Sequence, residues 1–117
     1  MLTLPIKKQW FDLIKSGIKK EEYRDLSYYY AVRFANIITP NRKSDNDIQT
    51  FIDDCRAGKH LDDDAFPVVL RNGYSASSPV LTAYWHLYVG TGKEEWGAEP
   101  GVEYFVLRIE RIEGQLC

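Results

Sequence analysis

Apolar positions recur at helical spacing through the first half of the chain and at strand spacing through the second. Met1 to Leu4 reads as a short strand. Ile6, Trp10, Leu13 and Ile14 then stand at i, i+4, i+7 and i+8, with Phe11 on the flank. That spacing predicts a helix with one buried stripe, opened by Pro5, whose missing N–H is no loss in a first turn. Gly17 closes it as a left-handed cap, and Lys15 sits beside the negative end of the dipole. From Ile18 the period becomes two. In a regular strand Ile18, Lys20, Glu22 and Arg24 share one face, and Lys19, Glu21, Tyr23 and Asp25 the other.

Ser27 is a cap for a second helix carrying Leu26, Tyr30, Phe34 and Ile37 at helical spacing. After a loop at 41–43, Ser44 and Asp47 approximate a capping box ahead of Ile48, Phe51, Ile52 and Cys55, and Gly58 ends that helix. His60 to Asp64 is an acidic loop. Phe66 to Leu70 is a strand followed by the turn signal Asn72-Gly73. Val80 to Val89 is the clearest strand, with Leu81, Ala83, Trp85, Leu87 and Val89 on one apolar face and Thr82, Tyr84, His86 and Tyr88 on the reverse. A glycine-rich loop, 90–101, holds Trp96 among Glu94, Glu95 and Glu99. The last strand, Val102 to Ile112, turns Phe105, Leu107 and Ile109 inward. Helices come early and strands late without repeated βαβ units, so the expected fold class is α+β with mostly antiparallel strands.

At 117 residues the chain is read as one domain, 1–117, able to bury a core without disulfides. A net charge of -2 argues against extensive duplex-DNA binding, which depends on neutralising phosphates. The charge is unevenly spread. Residues 1–20 carry five Lys against one Asp, net +4, while 53–64 carry five Asp against Arg56 and Lys59. A basic end permits a modest anion site. Cys55 and Cys117 lie far apart with no secretory leader, so reduced thiols and a cytoplasmic location are expected, with Cys55 in the core. His60 and His86 share no ligand spacing, so neither a metal nor any other cofactor is expected. No apolar run reaches the length of a membrane span.

The segment Gly17-Ile-Lys-Lys-Glu-Glu-Tyr-Arg24 carries the candidate chemistry. Lys19 and Arg24 bracket Glu22 so that a carboxylate can be held ionised while a cation faces a phosphate or a polar base edge. A solvated strand face with weak ion pairs is the plainer alternative. Period two separates Lys19 from Glu22, so their convergence requires a bulge near Gly17 or the long lysine stem. Tyr74 and Trp96 are the preferred stacking residues, because turns and loops present side chains at a barrel mouth. Glu95 and Glu99 are candidates for a second carboxylate. His86 reads most simply as a hydrogen-bonded sheet histidine.

Gly17-x-Lys19-x-x-Glu22-x-Arg24, preceded by the helix with Trp10-Phe11 and Ile14, resembles the signature of the ASCH family, named for its homology to a transcriptional cointegrator. All four signature positions are met, and the likeness covers about the first thirty residues, with weaker support from Trp96-Gly97 and the closing strand. The resemblance implies a small PUA-like β-barrel with flanking helices and a cleft beside the signature strand for RNA, a nucleoside or a nucleotide. Its ligand contacts would be Lys19, Glu22, Arg24, Tyr74 and Trp96. Some members of that family are amidohydrolases of N4-acylated cytidine, using a lysine, a threonine and a glutamate, and others cut single-stranded RNA. Here Glu22 stands where the nucleophilic threonine would be, so that mechanism does not carry over, and Lys19 and Glu22 are catalytic candidates only if the chain is an enzyme. The alternatives to a binding domain are therefore a hydrolase acting on a modified nucleoside or on RNA, and a protein-interaction module using the acidic segment 45–64.

Overall fold

The computed structural model describes residues 2–41 and 47–113. Its elements in order are β1 (Thr3–Ile6), α1 (Lys8–Lys15), β2 (Glu21–Asp25), α2 (Tyr28–Ile38), α3 (Ile48–Arg56), β3 (Phe66–Asn72), β4 (Val80–Thr91), a 3₁₀ turn (Glu94–Trp96) and β5 (Glu103–Glu113). The fold is α+β. Its five strands form one mixed sheet in the order β1-β3-β4-β5-β2, antiparallel at every pairing except β1 with β3.

β1 and β2 occupy opposite edges, so in a flat sheet they would stand roughly 19 Å apart. Instead Arg24 Nη2 on β2 donates to the Pro5 carbonyl on β1 at 2.9 Å. Only a strongly curled sheet brings those edges within reach of one side chain. The result is a half-barrel whose open seam is spanned by a guanidinium rather than by a backbone ladder.

The helices cover the inner face of this curl. Phe34 of α2 meets Phe105 edge-on at 5.2 Å, and Phe51 of α3 lies 6.4 Å from the same ring. Leu81, Ala83, Trp85, Leu87 and Val89 are all buried, as their alternation predicts. On β5, Ile109 and Ile112 both pack against the core although they stand three positions apart, an odd spacing. A register shift between Tyr84 and Trp85 explains it: Trp85 pairs with Ile109 and Tyr84 with Arg111, so a bulge at Glu110 resets the alternation.

Two expectations change at the start of the chain. Pro5 and Ile6 belong to β1 rather than to the first helix, which begins only at Lys8. A proline is tolerated there because β1 is an edge strand. The end of α1 follows the expected pattern. Gly17 has φ 84, its N–H bonds to Ile14 O and the Ile18 N–H bonds to Leu13 O, the paired closure of a Schellman motif. Ser27 caps α2 by accepting from the Tyr30 N–H.

Ser44, half of the expected capping box, and Cys117 lie outside the described residues. Cys55 is fully buried, and burial pushes its thiol up to about 12, in keeping with a core cysteine. Among the described residues no helix is long and apolar enough to cross a membrane.

Candidate ligand-binding cleft

β2 begins at Glu21, three residues later than a strand running straight on from the Gly17 cap would. Lys19 is therefore free of the period-two constraint. Turned inward after the Gly17 cap, it reaches Glu22 Oε1 at 3.3 Å, and Arg24 Nη2 meets Glu22 Oε2 at 3.0 Å. The two cations thus converge on one carboxylate without a bulge near Gly17.

Lys19 is fully buried. Besides Glu22, its ammonium donates to Glu21 O at 2.5 Å and to Trp96 O at 3.0 Å. The Tyr23 and Trp10 rings lie 4.8 and 5.4 Å from Nζ. An ammonium has three hydrogens, and each has a protein acceptor. Burial lowers the Lys19 pKa, outweighing the opposing attraction of Glu22 and Glu21. The expectation that Lys19 contacts a ligand directly meets this geometry: its head is spent on tying the 3₁₀ turn to β2. Lys19 lies buried beside the cleft and does not line it.

A cleft of about 250 Å³ opens beside this triad. Glu22 and Arg24 lie in it, with Trp10, Trp96, Tyr74 and Tyr104 as aromatic wall and Lys7 contributing an exposed cation. Four of the five expected contact residues therefore share one cleft. Sequence reasoning missed Trp10, Lys7 and Tyr104. The signal for Trp10 was its place on the α1 stripe, where it read only as core.

Glu22 has little left to offer a substrate. Its Oε1 also accepts the Tyr23 N–H at 3.1 Å, and the residue is 6% exposed. Arg24 is different. Nη2 is spent on Pro5 O and Glu22, and Nη1 makes one bond, 3.4 Å, to the Tyr30 hydroxyl. Of its five N–H groups, Nε–H, which is buried, and the second Nη1–H have no partner among the described residues. The side chains lining the cleft include no serine, threonine or cysteine, so no aliphatic hydroxyl or thiol stands ready as a nucleophile among the described residues. Glu95 and Glu99 are both exposed and neither lines the cleft.

The other face of β2 fixes the strand from behind. Glu21 accepts from the Tyr23 hydroxyl at 2.8 Å and from the Tyr88 hydroxyl at 2.9 Å, while the Lys93 N–H donates to the Tyr23 oxygen at 3.0 Å. Gly92 completes the contact. A Cβ there would sit 2.6 Å from the Tyr23 ring and 2.8 Å from Ala98 Cβ, so only glycine lets the loop approach β2 this closely.

Burial first, then the bond to Glu21, raises the Tyr88 phenol from 10.0 to about 12. The folded chain holds that proton more tightly than the unfolded one. Its contribution to stability is complete below pH 10.0 and lost as the pH rises through about 12. Urea titrations across that window should show the wild type losing stability faster than Tyr88→Phe; parallel losses would contradict the assignment.

Comparison of the chain with protein-family models, with curated proteins and with solved structures returns no match in any of the three.

Proposed function

We propose that the chain is an RNA- or nucleotide-binding domain of the ASCH type, with a PUA-like half-barrel presenting the cleft. The supporting observation is a single one: a hollow of about 250 Å³ walled by aromatic rings, with Arg24 inside it holding two N–H groups that none of the described residues accepts. Ring faces take up an unstacked base at roughly 1–3 kcal/mol each. Arg24 supplies donors for a base carbonyl or a phosphate oxygen, and Lys7 at the rim adds a second cation. The Gly17-x-Lys19-x-x-Glu22-x-Arg24 resemblance adds to this reading.

Binding is favoured over hydrolysis because Lys19 and Glu22 are consumed by internal bonds. Tyr74 separates ligand energetics from folding. It is 89% exposed while lining the cleft, so Tyr74→Ala is expected to leave stability within about 0.5 kcal/mol. The same change should weaken binding of cytidine or short single-stranded RNA by about 1–3 kcal/mol, roughly fivefold to a hundredfold. Fluorescence titration of wild type and Tyr74→Ala tests this. Equal affinities, or no affinity in the wild type, would end the reading. Release of acetate from N4-acetylcytidine, or fragments from RNA, would establish a hydrolase instead.

A further inference from the structure

The chain's two histidines line a second cavity, of about 350 Å³, that shares no lining residue with the cleft. It is formed where the end of α2, the loop after α3, the start of β3 and the middle of β4 face one another. His60 Nδ1 lies 2.8 Å from Asp63 Oδ2, and His86 Nε2 lies 3.2 Å from Glu110 Oε1. An ionised carboxylate only accepts, so the ring hydrogen sits on those two nitrogens, and in the neutral ring the other nitrogen carries a lone pair. Those other nitrogens, His60 Nε2 and His86 Nδ1, are buried and have no partner. Native structures satisfy nearly all such atoms.

The rest of the lining narrows the guest. Ile37, Ile38 and Phe66 form a hydrocarbon wall, and Asp63 and Asp64 bring negative charge. An adjoining hollow shares Asp63, Asp64 and His86 and adds Asp62, Glu110 and Arg111, the last paired with Glu110, so that its carboxylates still outnumber its one cation. Every polar side chain of the first cavity is an acceptor or has its ring hydrogen already committed. The complement is a cation rich in N–H donors with an apolar stem. A metal ion fits less well, since no three His, Cys, Asp or Glu side chains among the described residues are grouped to hold one.

We propose that this cavity is a second binding site, for a small primary ammonium ion with a short hydrocarbon stem. The site is independent of the cleft and of its ligand. Because the chain has only two histidines, long-range proton–nitrogen NMR of the imidazoles reads it directly. With both rings neutral, His60 should be the Nδ1–H tautomer and His86 the Nε2–H tautomer. n-Butylammonium chloride is expected to move the two lone-pair nitrogens, saturably and in the millimolar range, while tetramethylammonium chloride, which has no N–H, leaves them in place. Asp64→Asn should keep both tautomers, since Asp63 and Glu110 hold the rings, and weaken butylammonium roughly threefold to tenfold. Identical tautomers, equal responses to the two salts, no saturable response, an unweakened Asp64→Asn variant, or a response to Zn²⁺ alone would each overturn the proposal.

Discussion

Lys19→Ala lowers the unfolding free energy by about 3–5 kcal/mol, the loss expected when one partner of a buried ion pair is removed. The magnitude follows from what the ammonium leaves behind. Glu22 keeps Arg24 but loses its second counter-charge, and two carbonyls, Glu21 O and Trp96 O, lose their donor. Chemical denaturation measures it, and a fall in Tm of at least about 10 °C should accompany it. A loss under about 1 kcal/mol would mean that Lys19 behaves as a surface lysine. The pH dependence has a defined sign. Burial depresses the folded-state pKa of Lys19 below 10.5, so over that interval the unfolded chain binds more protons and stability rises with pH. The gap between wild type and variant should therefore widen as the pH climbs toward 10.5.

Arg24→Lys preserves charge and still separates two roles. A compact ammonium does not reproduce the planar fork that reaches Pro5 O, Glu22 and the Tyr30 hydroxyl together. Losing the charged hydrogen bond across the seam should cost about 1.5–3 kcal/mol of stability. Nucleoside affinity should fall at least about tenfold, because the two uncommitted N–H groups vanish with the guanidinium. Denaturation and fluorescence titration on the same sample separate the effects. Full affinity in a destabilised variant would assign Arg24 to the seam alone.

Much of this was legible in the sequence because the evidence was local. Gly17 announces a left-handed cap, Ser27 an N-cap, and the alternation of β4 its buried face, each within a few residues. Of the residues singled out around the charged segment, Glu22, Arg24, Tyr74 and Trp96 line one cleft together. What stayed hidden depends on partners far along the chain. Nothing near Pro5 says that it pairs with Arg71 in a parallel ladder, so the start of the chain read as helix. Nothing near Lys19 says that the Trp96 carbonyl will meet it, so a buried fastener read as a ligand contact. The two histidines read as unrelated because only folding gives them a common cavity.

The pairing of the edges also bears on when the cleft comes into being. Thr3 must wait for Val69 and Glu21 for Arg108, so during synthesis the strands that carry Pro5, Glu22 and Arg24 emerge long before the segments that hold them. A nascent chain halted before β5 already carries Glu22 and Arg24 but has no sheet to hold them, and the cleft takes shape only once the last strand has docked.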